Sequence, residues 1–259
     1  MKIQDEKELQ QLSLFFDIEG WTASNWISRS PIFLSFKKGD RQLLNETLLG
    51  TYFGIEIKQT GQQLDMADQD VFLWLVNLAK KNHNDKVYFS KYRILKELGK
   101  TPGTSSREWL EKSFIRLLSA TIFFKPTGKK RFVAVHLIDA LDFDEDREQQ
   151  YIRLGHEVLE LYKEGNFSLI DFKQRLQLKK PLAKWLQCFC SSHHKETKGY
   201  YLETLQGASG KAQVKKGRFK DDLVLAATEL QAVGFLASFK LIDKTKGVFF
   251  QYKINIAEK

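Results

Sequence analysis

The chain has 259 residues, which suits two domains of ordinary size, and its 42% hydrophobic and 13% aromatic content argues against wholesale disorder. Lysine and arginine total 41 against 32 aspartates and glutamates, so the net charge is +9. This balance favours a polyanionic partner, because neutralised phosphates release counterions and so supply affinity without any reading of sequence. An ordinary basic protein is the alternative explanation of the charge.

Cysteine content and hydropathy indicate the cellular compartment. The chain has two cysteines, which excludes a disulfide framework and favours a reducing cytoplasm. Residues 1–8 carry charges of both signs and lack the apolar segment of a signal peptide, and no stretch approaches the roughly 18 apolar residues of a membrane span. We therefore expect a cytoplasmic protein with no membrane partner.

Residues 1–60 are predicted to be an N-terminal leader and accessory segment. The beginning of this segment favours a short helical or frayed leader. Residues 32–36 predict a strand, and the alternating residues 52–60 predict a second strand that pairs with the first and ends at Gly61.

Residues 61–145 are predicted to form the first domain. Asp65 or Asp68 is the expected cap of an amphipathic helix that runs to about Lys81, because apolar residues recur there at helical spacing. A short strand is expected over residues 86–89. The aromatic side chains of this helix are expected in the core.

A helix-turn-helix with a wing follows in the same domain. Ser90 is a good N-cap for a helix over residues 91–98, and Gly99 is its expected end. A longer helix is predicted over residues 105–120, and a hairpin with a basic turn over residues 121–136. Short helix, turn, longer helix and two strands are typical of a winged helix-turn-helix.

Residues 146–259 are predicted to form the second domain, after an acidic joint at residues 142–146. This joint is expected to be solvated rather than to bind a metal. Residues 151–162 favour a strand that runs into a turn at Gly165, and Ser168 is the expected cap of the helix that follows.

The second domain repeats the plan of the first. Pro181 is expected to start a helix to about Ser191, and residues 201–207 and 219–234 predict a short and a long helix with a basic turn between them. A hairpin is expected over residues 235–256. The predicted fold is therefore α+β, with two tandem winged helix-turn-helix domains. Because no low-complexity linker separates the domains, we expect them to pack against each other.

The second helix of a helix-turn-helix presents its N-terminal residues to base edges, while the first helix and the wing hold phosphates. Hydroxyls and cations at the start of the 105–120 helix suit this role, since arginine can bind guanine through two hydrogen bonds. In the first domain the predicted base readers are Ser105, Ser106, Arg107 and Lys112. Ser113 and Arg116 are also expected on the outside of the helix, and Arg116 is a further predicted DNA contact. The predicted phosphate contacts are Lys129, Lys130 and Arg131.

The second domain carries the denser positive charge. Cations crowd the basic turn and the first turn of the 219–234 helix, where they oppose the helix macrodipole, so that a polyanion bound there would be favourable. The alternative is a solvated run of charges. The predicted base readers are Lys216, Arg218, Lys220 and Asp221, and the further predicted DNA contacts are Lys211, Lys215, Lys244 and Lys246.

Catalytic patterns are weak in this sequence. Tyr200 and Tyr201 keep open a tyrosine-dependent nicking enzyme, but the adjacent His193 and His194 do not form the His-apolar-His metal motif of such enzymes. The two cysteines near these histidines lie two apart on a predicted helix and so face different ways, which argues against a zinc site. We expect no enzyme activity, no bound metal and no cofactor.

The chain resembles the TrfA-like plasmid replication initiators and, more broadly, the two-winged-helix Rep proteins of iteron plasmids. The resemblance rests on the order and spacing of several stretches that extend over nearly the whole chain. The matching stretches are residues 25–33, 60–72, 87–99, 110–117 and 219–223.

The resemblance implies a bacterial cytoplasmic initiator that binds iteron repeats in the double-stranded DNA of a plasmid origin through both winged helices. It also implies opening of adjacent AT-rich DNA, recruitment of the host replicative helicase with the host initiator protein, and a homodimer in equilibrium with the monomer. A winged-helix transcriptional repressor without initiator activity is the alternative, and a protein-protein adaptor is a third possibility. A repressor would bind an inverted repeat, whereas an initiator would fill tandem direct repeats.

Overall fold

The structure is a computed structural model whose described residues form an α+β fold of nine helices and fourteen strands. The expected leader, most of the acidic joint and His194 lie outside the described residues. Within the described part of the chain, no helix is long and apolar enough to cross a membrane. The described residues are 18–34, 41–52, 54–142, 150–162, 165–193 and 199–255.

The N-terminal segment contributes strands rather than a separate domain. Its elements are β1 (Trp21–Ser24), α1 (Asn25–Ser28), β2 (Phe33–Leu34), β3 (Leu43–Tyr52) and β4 (Ile55–Gln62). The predicted pairing of residues 32–36 with residues 52–60 is wrong. β3 is the antiparallel partner of β4, and β2 pairs in parallel with β5 (Leu64–Asp65).

The long helix α2 (Met66–Asn82) begins with a capping box. The Asp65 side chain accepts hydrogen bonds from the backbone N–H groups of Ala67 and Asp68, and the Asp68 side chain accepts one from the backbone N–H of Asp65. Both predicted caps therefore act together. Most of the helix is buried, as expected of a helix at the centre of a domain.

The first winged helix is present as predicted. β6 (Lys86–Phe89) leads to α3 (Lys91–Glu97), and the Ser90 hydroxyl accepts a backbone hydrogen bond in the first turn of α3. The longer helix and the hairpin follow, and we call the β7–β8 hairpin the first wing. These elements are α4 (Thr104–Ser119), β7 (Thr121–Pro126) and β8 (Val133–His136).

Strand pairing continues across the domain boundary predicted after residue 145. β10 (Gln150–Leu154) pairs on one side with β6 and on the other with β9 (Ile138–Asp142), so it lies in the sheet of the first winged helix. The first wing extends the β3–β4 hairpin into a four-stranded sheet. A short helix, α5 (His156–Glu160), replaces part of the strand predicted over residues 151–162.

The segment between the two winged helices also differs from its prediction. Ser168 lies within β11 (Phe167–Ile170), which pairs with β1, so the predicted helix cap at Ser168 is wrong. The helix begins after β11. Asp171 is its N-cap, and the Asp171 side chain accepts a hydrogen bond from the Gln174 backbone N–H. This helix is α6 (Phe172–Gln177).

The second winged helix follows the predicted plan, with a three-stranded sheet in the order β12-β14-β13. We call its β13–β14 hairpin the second wing. Its elements are α7 (Pro181–Ser191), β12 (Gly199–Tyr201), α8 (Leu202–Ala208), α9 (Lys216–Ala232), β13 (Leu236–Lys244) and β14 (Gly247–Ile254).

A buried ion pair joins the two halves, which confirms the expected packing of one domain on the other. Asp70 in α2 accepts a hydrogen bond from Arg175 Nε at 2.6 Å and also contacts the Lys184 ammonium group of α7. Arg175 in α6 is fully buried, and its Nη2 atom donates to Gln69 Oε1 at 2.7 Å. Its Nη1 atom donates to the Lys184 carbonyl oxygen at 2.9 Å, so the guanidinium group has partners in both halves of the chain.

Asp70 and Arg175 should contribute cooperatively to the free energy of unfolding. Removing one partner of a buried pair leaves an uncompensated charge and costs about 3–5 kcal/mol, so Asp70→Asn should lower the free energy of unfolding by that amount in urea titrations. Combining Asp70→Asn with Arg175→Met should cost less than the sum of the two single changes. Asp221→Asn, at an exposed carboxylate, is the matched control. Additive losses would contradict the predicted cooperativity.

Lys80 should make stability depend on pH. It is 2% exposed and donates to the Gly20 carbonyl oxygen, and burial together with the charge of Lys81 lowers the pKa of Lys80 from 10.5 to about 8. Between these two values the unfolded chain binds more protons, so this group makes stability rise with pH there. We expect Lys80→Met to be more stable than wild type near neutral pH in urea titrations. The advantage should vanish above the unfolded pKa, and a less stable variant near neutral pH would contradict this.

Candidate nucleic-acid interface

Helix α4 buries one side and leaves the other open to solvent. Leu110, Phe114 and Leu117 are fully buried, whereas Trp109 and Leu118 are half-buried. The start of the helix has no side-chain cap and no acidic residue in its first turn. Its backbone N–H groups are therefore not neutralised by a carboxylate of the helix. Among the predicted base readers, Ser105, Arg107 and Lys112 are exposed and Ser106 is half-buried.

Two polar residues of α4 face the interior, so their predicted exposure is wrong. Ser113 and Arg116 are 0% and 7% exposed. Arg116 holds the Asp68 carboxylate through Nη2 at 2.7 Å and Nε at 3.1 Å, and the Ser113 hydroxyl donates to the same carboxylate at 2.6 Å. Arg41 Nη1 adds a fourth side-chain donor at 2.8 Å. Arg116 therefore fixes α4 to α2 and is not placed to contact DNA bases.

The exposed face of α4 includes residues that sequence reasoning did not single out. Thr104, Glu108, Lys112 and Ile115 recur every three or four residues and so share one face of the helix. Ile115 is 57% exposed on this face. An apolar side chain there could contact a thymine methyl group. The helical spacing from Lys112 was the signal that would have identified Thr104 and Ile115.

The start of α9 is the second cationic site. Lys216 Nζ lies 3.0 Å from Glu203 Oε1 of α8, and this hydrogen bond lowers the pKa of the Glu203 carboxyl group. Lys211 lies 3.9 Å from Asp222, a loose pair. Positive charge thus exceeds negative charge at this helix start. Among the residues that the structure describes, Lys215, Arg218 and Lys220 form no ion pair, and Asp221 is exposed.

The two wings present cations differently. In the first wing, Lys129, Lys130 and Arg131 are exposed at the turn, beside Phe132, which is 55% exposed. In the second wing, the Lys244 ammonium group lies 3.7 Å from the centre of the Phe249 ring, and Lys246 is exposed at the turn. Flexible cations at exposed turns suit phosphates rather than base edges.

The residues considered for other chemistry lie in the core or pack against it. Cys188 and Cys190 are buried, and burial raises the pKa of both thiols, so they are held in the unreactive protonated form. Tyr200 packs against Phe189 and His193 at centroid distances of 5.0 and 4.8 Å. In the described part of the chain, no group of three or more His, Cys, Asp or Glu side chains could hold a metal ion.

Two solved structures share this architecture. The first is a crystal structure of RctB domains 2 and 3, with a TM-score of 0.56, 14% sequence identity, and coverage of 90% of this chain and 97% of that chain. The second is a selenomethionine derivative of the same two domains, with a TM-score of 0.59, 15% identity, and coverage of 90% and 98%. No protein-family model and no curated protein matches the chain. The chain has the fold of RctB domains 2 and 3.

Arg107 and Lys130 should affect DNA binding in different ways. Arg107→Ala should weaken specific relative to nonspecific binding by roughly 1 to 3 kcal/mol, because it removes a candidate contact to a guanine edge. Lys130→Ala should weaken binding to all sequences alike and reduce the slope of log affinity against log salt by about one. Titrations of specific and random duplexes at several salt concentrations measure both quantities. Unchanged discrimination in Arg107→Ala would remove that residue from the interface.

Proposed function

We propose that the chain is a replication initiator that binds repeated sites in duplex DNA with both winged helices. The observation that carries this proposal is the pair of exposed, cation-rich helix starts, at α4 and α9, each followed by a basic wing. Cations in these positions are what groove and phosphate contacts require. The fold shared with the RctB initiator domains supports an initiator over other DNA-binding classes.

The fixed junction between the halves supports binding to a long site. Asp70 and Arg175 join the halves through a buried pair, and β1 pairs with β11 across the same junction. Two recognition helices held at one spacing would favour two groove segments at one separation. Such a protein would use its binding energy to deform DNA, since a bent or opened site allows more contacts. No catalytic step is part of this proposal.

The finer assignment follows the TrfA-like resemblance. We infer that the target is an array of iterons in a plasmid origin and that the chain acts in the bacterial cytoplasm. In this proposal it opens adjacent AT-rich DNA and recruits the host replicative helicase together with the host initiator protein. A monomer would be the initiating form, in equilibrium with a homodimer.

A footprint on the candidate origin tests the function. Protection of evenly spaced direct repeats, each about two helical turns long, is the expected result, because two winged helices on one face of the duplex span that length. Protection of a single palindrome would favour the transcriptional repressor instead. Absence of protection at low and at moderate salt would contradict DNA binding as the function.

A further inference from the structure

A cleft of about 650 Å³ lies between the two winged helices. Ser105, Trp109 and Lys112 of α4 line one wall, and Lys179 and Pro181, at the start of α7, line the other. The first turn of α2 forms part of the floor. The cleft therefore takes its walls from both halves that the buried Asp70 pair joins.

Cations dominate the lining of this cleft, and only some of them are balanced. Buried or half-buried carboxylates at the start of α2 pair with three of them. Lys100 lies 4.1 Å from the centre of the Trp109 ring. Lys112 and Lys179 are exposed, and their ammonium groups form no ion pair among the described residues; the Lys179 backbone N–H donates to Glu229 Oε1 at 2.7 Å. The six cations are Arg41, Lys100, Lys112, Arg116, Lys179 and Lys184.

The position of the cleft indicates which anion it would accept. Lys112 and Ser105 line the cleft and also lie on the exposed side of α4. A duplex whose major groove receives α4 has a sugar-phosphate strand along each side of the groove, at the level of the helix start. One of those strands would pass the mouth of the cleft. A phosphodiester there would meet ammonium groups from both halves.

We propose that the cleft binds an internucleotide phosphate of the target duplex, held between Lys112 of the first half and Lys179 of the second. This inference rests on the proposed function and extends it to a site between the winged helices. It changes the predicted role of Lys112 from base reading to phosphate binding. It also makes the junction itself, and not the two helix-turn-helix units alone, part of the DNA-binding surface.

Salt dependence tests the number of contacts. Lys112→Gln and Lys179→Gln should each reduce the slope of log affinity against log salt by about one, and the double variant by about two. Lys81→Gln is the matched control, because Lys81 is exposed near the other end of α2, roughly 22 Å from its start. The control should keep the wild-type slope. A double variant with the slope of the control would overturn the proposal.

Neutral methylphosphonate linkages locate the contact on the DNA. Placed singly between the two protected groove segments, one such linkage should weaken wild-type binding and leave the double variant unaffected. Inorganic phosphate, added at constant ionic strength, should not compete selectively with wild type, since the cleft is open and relies on the duplex to position the anion. An equal loss for wild type and double variant at every linkage, or selective competition by inorganic phosphate, would contradict the duplex assignment.

The outcome also separates this proposal from the function on which it rests. If wild type binds duplex DNA in a salt-dependent way while both cleft variants keep its slope, the cleft assignment fails and the initiator proposal stands. If wild type itself shows no salt-dependent binding, the DNA-binding function fails and the cleft assignment with it. Thermal unfolding of each cleft variant should match wild type, because both lysine side chains are exposed.

Discussion

Two carboxylates at the start of α2 hold the molecule together. Asp68 binds Arg116 of α4, and Asp70 binds Arg175 from the second half, so two residues on one helix turn position both winged helices. Each carboxylate is almost completely removed from water. Separating either pair would leave a buried charge without a partner, which is strongly unfavourable. The relative placement of the two winged helices is therefore fixed by packing on α2 and by the pairing of β1 with β11, and not by a linker.

This arrangement has a consequence for binding. A flexible tether would let each winged helix find its groove independently, at a cost in conformational entropy on forming the complex. A rigid junction has lost that entropy during folding. In the proposed function, it would restrict the chain to sites whose two groove segments have the matching separation and rotation along the duplex. Spacing between contacts would then be part of sequence recognition, alongside the base edges that α4 and α9 could reach.

Local signals in the sequence predicted much of this fold, and non-local pairings account for most of the errors. Caps and apolar spacing identified α2, α3 and α7 because helices depend on neighbours along the chain. Ser168 has the chemistry of a cap, yet pairing of its strand with β1, more than a hundred residues away, decides its conformation. Arg116 has the pattern of a surface cation, and only Asp68, 48 residues earlier, makes it internal. Lys179 was overlooked because its position opposite α4 depends on the junction.

The charges at the junction between the halves also affect the candidate nucleic-acid interface. The carboxylates of α2 neutralise the cations nearest to them, while other cations form no ion pair among the described residues: Lys112 and Lys179 of the cleft, and Lys215, Arg218 and Lys220 near the start of α9. Like charges held close together repel, which opposes the compact state of a basic protein. An anion that binds only the folded chain stabilises it, and the stabilisation grows with the logarithm of the anion concentration above Kd. A duplex bound across the cleft would therefore stabilise the folded chain, and with it the contact between the halves.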